Sequence, residues 1–106
     1  MSRDSVRRYY DALDDHDYDV LEEILAPGFV QRRPDRTFES RESFVRFMRD
    51  ERPNPETTHE LVAVVDGGDT VAARGRLLDS GRELFEFADF FELETGRITE
   101  LETYSR

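Results

Sequence analysis

Few side chains in this 106-residue chain can do chemistry, and their distribution narrows what that chemistry is. Cysteine is absent, so thiol nucleophiles, thiolate metal sites and disulfides are excluded. The two histidines, His16 and His59, lie far apart without ligand spacing; no metal site and no cofactor are expected. His16 stands among Asp14, Asp15 and Asp17, as at a solvated helix end. Arg32, Arg33 and Arg36 cluster where they can either clamp a carboxylate or pair with surface acids. The strongest candidate is Asp89, in the run FEFADFF. A carboxyl between phenylalanines loses solvation, which raises its pKa and suits it to proton transfer. It can equally be a structural polar group bonded to Tyr9, Tyr10 or a water.

The elements that must position these residues follow from periodicity. Val6, Tyr9, Tyr10 and Leu13 share one face of a predicted helix over Asp4–Asp15. Asp17 caps a second helix with Val20, Leu21, Ile24 and Leu25 on its apolar side, stopped by Pro27-Gly28. A short strand over Phe29–Arg33 and a loop over Pro34–Glu39 come next. Ser40 caps a third helix carrying Phe44, Phe47 and Met48, ended by Pro53 and Pro55. Four strands follow: Thr57–Val65, Thr70–Leu78, Glu83–Leu93 and Arg97–Ser105. Helices followed by a meander predict one α+β domain over residues 1–106, its three helices packed on the concave face of a curved antiparallel sheet.

Three related turns set the predicted register: VDGGD (Val65–Asp69), LDSGR (Leu78–Arg82) and LETGR (Leu93–Arg97). Read as three-residue loops with a left-handed glycine, they oppose Asp89 to Leu101 and Val71, Phe87 to Thr103 and Ala73, and Phe85 to Gly75. They also oppose Phe91 to Thr99, Ala63 to Val71, Leu61 to Ala73 and His59 to Gly75. The inner face then holds His59, Leu61, Ala63, Val71, Ala73, Gly75, Leu77, Phe85, Phe87, Asp89, Phe91, Leu101 and Thr103. Small residues in its second strand leave room for a cavity. His59 lies four residues along the sheet from Asp89, about 13 Å at roughly 3.4 Å per residue. The outer face collects a row of Glu60, Arg74, Glu86 and Tyr104, and a neighbouring row of Thr58, Arg76 and Leu84. Val62, Ala72, Leu84, Ala88, Phe90, Ile98 and Tyr104 make this face apolar enough to predict a homodimer through it.

Charge excludes whole classes of partner. The net charge is −10, which argues against nucleic acid or an anionic membrane as a target. No apolar run approaches membrane-spanning length and no signal peptide is visible, so a cytoplasmic location is expected. All 15 basic residues are arginine. A lysine-free acidic surface suits a salt-rich cytoplasm, and codon bias in a GC-rich genome would give the same composition.

The opening VRRYYDALDDHDYDVLEEILAPGFV and the closing FEFADFFELETGRITELETY resemble the SnoaL-like and ketosteroid-isomerase-like branches of the nuclear transport factor 2-like superfamily. That resemblance spans nearly the whole chain. It implies a cystatin-like cone, a bent sheet wrapped around an apolar cavity plugged by helices, and frequent homodimers. It also implies roles: Tyr9 matches the oxyanion-hole tyrosine and Asp89 the aspartic acid kept neutral beside it. Arg33, in RRP, stands where the general-base aspartate is expected, and arginine cannot accept a proton.

Two readings stay open. One is an enzyme that isomerises, cyclises, dehydrates or hydrolyses an apolar oxygen-bearing small molecule, with Asp89 as acid or base, Tyr9 as donor and His59 or Arg33 assisting. Its substrate wall would be Arg33, Phe44, Met48, Leu61, Ala73, Phe87, Phe91, Leu101 and Thr103. The other is a non-catalytic, dimeric ligand-binding or interaction module of the same fold.

Overall fold

A computed structural model describes residues 2–106 of the chain. Helix α1 (Ser2–Asp15) starts earlier than periodicity predicts and buries Val6, Tyr9, Tyr10 and Leu13. His16, at φ 59°, breaks the path, and the Asp17 side chain accepts the Val20 N–H at 3.3 Å to start α2 (Tyr18–Ile24). Strand β1 (Leu25–Arg32) then begins at once, with Pro27-Gly28 inside it rather than before it. Its pairing is irregular between Leu25 and Val30, which accommodates a residue lacking an N–H donor. The expected loop contains a two-residue strand, β2 (Thr37–Phe38), paired antiparallel with β1. Ser40 caps α3 (Arg41–Arg46), accepting the Ser43 N–H at 3.1 Å, and α3 runs on as a π-helical turn over Phe47–Glu51.

The meander strands are β3 (Thr57–Asp66), β4 (Thr70–Asp79), β5 (Arg82–Glu94) and β6 (Arg97–Ser105). All six strands form one sheet in the order β2-β1-β6-β5-β4-β3. Strand β1 joins β6 in parallel, so the sheet is mixed, not wholly antiparallel as expected. The helices pack on one face of this sheet in an α+β domain.

The turns differ from the three-residue reading in an instructive way. Asp79 pairs with Arg82 and Glu94 with Arg97, so both loops have two residues. Ser80-Gly81 (φ 53° and 83°) and Thr95-Gly96 (φ 50° and 80°) are both left-handed, the backbone of a type I′ turn. An even loop alone would exchange the faces. Each is followed by a one-residue bulge, with Leu77 opposite Phe85 but Leu78 opposite Glu83, and Glu92 opposite Glu100 but Leu93 opposite Ile98. Parity is thereby restored. The inner face of β4, β5 and β6 is the predicted one, while partners slip by two: Asp89 faces Ala73 and Thr103, not Val71 and Leu101.

In β3 a bulge at Val62 turns Val64 onto the core and leaves Ala63 exposed, against expectation. The bulge in β6 likewise buries Ile98, which is therefore not on the outer face. Outside, the charged row is Glu60, Arg76, Glu86 and Arg106 in place of Glu60, Arg74, Glu86 and Tyr104. Arg76 bridges Glu60 and Glu83, and Arg106 reaches Glu86 at 3.0 Å. Gly75 has a packing reason: a Cβ there would run into the Glu60 carbonyl oxygen.

Candidate active site

The core fills one end of the sheet and leaves the other end open. Tyr9 stacks on Phe44 (ring centroids 6.2 Å apart, 23°) and meets Phe91 edge-on at 5.4 Å, and Phe44 packs edge-on against Phe29 and Phe38. This aromatic plug takes up Phe44, Phe91, Leu101 and Ala73, so four residues expected on the substrate wall are core instead. Beyond the plug lies a cavity of about 440 Å³, between the start of β3, the ends of β4 and β6, the start of β5, the π-helical turn and the β1–β2 hairpin. Tyr9, Arg33, Met48, His59, Phe87, Asp89 and Thr103 of the expected residues do line it. Leu61 does not; with Arg7, Tyr10, Asp11, Asp14 and His59 it borders a smaller pocket of about 250 Å³.

Asp89 is 5 % exposed and held by two hydroxyls. The Tyr10 O–H donates to its Oδ2 at 2.6 Å and the Thr103 O–H to its Oδ1 at 2.6 Å. Gln31 Nε2 in turn donates to Thr103 Oγ1 at 2.9 Å, and the Gln31 Oε1 is buried without a partner. Burial pushes the Asp89 carboxyl above the ordinary carboxylate range; the Thr103 and Tyr10 hydrogen bonds and the charges of His59 and Arg33 pull the other way. Each carboxylate oxygen keeps a second lone pair, so two donated bonds do not saturate it.

The two tyrosines divide the work differently from expectation. Tyr10, not Tyr9, bonds Asp89. Neighbours on a helix point about 100° apart, so when Tyr10 covers the β5 carboxyl, Tyr9 turns towards the plug and cavity. Among the described residues the Tyr9 hydroxyl has no hydrogen-bond partner, and it borders the cavity. Burial first, then the Asp89 charge, raise both phenols, while Arg33 and Arg52 partly offset this at Tyr9. Tyr9 is thus a protonated donor fixed by packing.

His59 sits in the same cross-strand row as Phe85, as predicted, although through Leu77 and not Gly75. Its Nδ1 lies 2.6 Å from Asp14 Oδ1, and its backbone N–H donates to Asp14 Oδ2 at 3.0 Å. The ring packs against Tyr10 (5.2 Å) and Phe87 (5.5 Å).

The arginine cluster separates. Arg32 pairs with Glu100 at 2.7 Å, Arg36 lies over the Phe38 and Phe47 rings, and Arg33 lines the cavity, paired with Asp35 at 3.4 Å. Arg52, which periodicity does not single out, also lines it and donates to the Leu13 carbonyl and, at 3.2 Å, the Tyr18 hydroxyl. His16 is exposed, with Nε2 2.5 Å from the Pro55 carbonyl oxygen. Among the described residues no cluster of His, Asp and Glu is placed to hold a metal ion, and no helix is long and apolar enough to cross a membrane.

Sequence reasoning left Tyr10 as one of three possible partners of Asp89 and missed Asp14, Gln31 and Arg52. A signal existed for one of them: Asp14 follows Tyr10 by four residues, on the same helix face.

The arrangement is a cavity with one free phenol donor, one desolvated carboxyl and one oriented imidazole, a set able to move a proton beside a stabilised oxygen. Comparison with known proteins agrees on the fold. An NTF2-like protein of unknown function from Cytophaga hutchinsonii superposes with a TM-score of 0.86 at 20 % identity, covering 100 % of this chain and 90 % of that one. A proposed ketosteroid isomerase from Kribbella flavida gives 0.88 at 18 % identity, covering 99 % and 77 %. IdmH, a proposed polyketide cyclase from Streptomyces antibioticus, gives 0.81 at 21 % identity, covering 99 % and 91 %. No curated protein sequence matches significantly. The sequence profile of the SnoaL-like domain matches residues 6–101, and with that span the chain belongs to the SnoaL-like family.

Proposed function

We propose that this protein is a small-molecule enzyme that moves a proton on an apolar, oxygen-bearing substrate held in the cavity, as an isomerase, cyclase, dehydratase or hydrolase does. The observation that carries this is the Tyr9 hydroxyl, packed in place in the cavity that Asp89 also lines and, among the described residues, without a hydrogen-bond partner. Tyr9 donates to the substrate's carbonyl oxygen and holds the negative charge that develops there. Asp89 takes or gives the proton, its affinity raised by burial. Met48 and Phe87 supply apolar wall, and Arg33 a cation near the oxygen. Arg33 cannot serve as the base, so steroid-type isomerisation by the usual aspartate is not the reaction.

A second reading, a non-catalytic ligand-binding module, is favoured by one observation: both Asp89 oxygens already accept protein hydroxyls, as a structural carboxylate would. In either case we infer a homodimer through the outer face, where Val62, Phe90 and Tyr104 are exposed around Ala72 and Ala88.

The test uses 2-naphthol, an aromatic alcohol whose anion mimics a stabilised enolate. Tyr9→Phe should weaken its binding about two- to tenfold, since a hydrogen bond between neutral groups contributes about 0.5–1.5 kcal/mol. Equal affinity in the two proteins would remove Tyr9 from the site.

A further inference from the structure

Asp14 and His59 form a contact too specific for a solvated helix end. Asp14 is held twice, its Oδ2 by the His59 backbone N–H at 3.0 Å and its Oδ1 facing Nδ1 at 2.6 Å. Both side chains are largely buried, at 19 % and 15 % exposure, and the imidazole is wedged against Tyr10 and Phe87. At 2.6 Å from a carboxylate oxygen, Nδ1 must carry the hydrogen, since a lone pair there would face another lone pair. In its neutral form the ring then has its lone pair on Nε2. Among the described residues Nε2 has no partner, and His59 borders the same cavity as Tyr9 and Asp89.

We propose that His59, held in one tautomer by Asp14, presents a basic Nε2 to the cavity as a second proton-transfer group, with Asp14 as its positioning residue. This rests on the cavity being the ligand site. The site then has separate groups for giving and taking a proton. Tyr10 stands between them, its ring on His59 and its hydroxyl on Asp89, so the two do not bond each other directly. A substrate spanning the cavity can meet both.

The experiment uses the fact that the chain has only two histidines. His16, whose Nε2 faces the Pro55 carbonyl outside the cavity, is the internal control. Long-range proton–nitrogen NMR of the full chain at alkaline pH should show His59 with hydrogen on Nδ1 and a bare Nε2. Asp14→Ala should turn that signature into a mixture of tautomers, and Asp14→Glu should restore much of it. A fold that is intact but unconstrained at His59 would leave the wild-type signature unchanged by Asp14→Ala, and that overturns the proposal.

Carbethoxylation by diethyl pyrocarbonate, read by mass spectrometry, reports where Nε2 points. Saturating 2-naphthol should slow modification of His59 at least tenfold and leave His16 unaffected. Naphthol that binds in a Tyr9-dependent way without protecting His59 defeats this proposal alone. Naphthol that does not bind defeats the cavity reading and this proposal with it.

Discussion

Replacing Asp89 by asparagine separates a catalytic carboxyl from a structural one. Asparagine keeps the size and can accept from one hydroxyl through its oxygen while donating to the other through its amide. Thr103 is the natural recipient, because its hydrogen can then turn to the Gln31 carbonyl once that amide rotates. Two hydrogen bonds survive with their ionic character lost, at a cost of about 1 kcal/mol, and relief of the buried charge offsets part of it. Thermal unfolding should therefore shift by no more than about 4 °C.

The shift also depends on pH with a definite sign. Burial raises the Asp89 pKa, so its contribution to stability is fully present below the ordinary aspartate value and is lost as pH rises through the higher native value. Asparagine does not titrate. The stability of wild type relative to Asp89→Asn should fall across that window and then level off. Asp89→Leu should be worse, because the Tyr10 hydroxyl would be stranded at about 1–3 kcal/mol, while the Thr103 hydroxyl can turn to the Gln31 carbonyl oxygen. Once a substrate is in hand, catalysis by Asp89 predicts that turnover falls about 10²- to 10⁴-fold in the asparagine variant while binding persists. Unchanged turnover would refute the catalytic role, and a large loss of stability in Asp89→Asn would refute the hydrogen-bond accounting.

Three further outcomes follow from the geometry. Gly75→Ala should lower stability in urea melts by about 1–3 kcal/mol, because its methyl meets the Glu60 carbonyl oxygen at the β3 bulge. Phe90→Glu should convert the predicted dimer to a monomer in sedimentation velocity, while circular dichroism stays unchanged, since Phe90 is 45 % exposed on the outer face. Added salt should raise the melting temperature steeply from low ionic strength and then plateau, as screening removes the self-repulsion of a chain with net charge −10.

Much of this fold is legible in the sequence because local chemistry and long-range pattern agree. Asp17 and Ser40 cap the helices they precede, and alternation in β4, β5 and β6 assigns faces that the structure keeps except at Ile98, which the β6 bulge turns inward. Loop length is less legible. Asp-Ser-Gly and Glu-Thr-Gly fit either a three-residue loop with a glycine bulge or a type I′ turn with the bulge displaced into the strand. Both preserve parity, which is why the faces are right and the partners are two residues out. The parallel β1–β6 pair involves strands at opposite ends of the chain, and no local signal encodes it.

At the site, Asp89 and His59 are legible because an inward polar residue stands out in an apolar strand. Their partners are not. Tyr9 and Tyr10 differ by one helical step, and the rotation of α1 over the sheet, set by how Tyr9 packs on Phe44 and Phe91, decides which of them meets Asp89. The same rotation brings Asp14 under His59 and fills the plug with side chains that alternation alone assigns to a cavity wall.

The central claim, that Tyr9 is the donor to a ligand's oxygen in this cavity, is tested most directly by a crystal structure of the protein with 2-naphthol. The naphthol oxygen should lie about 2.5–3.0 Å from the Tyr9 hydroxyl oxygen, with its rings against Met48 and Phe87. Naphthol bound with its oxygen turned to solvent, or bound outside the cavity, would contradict it.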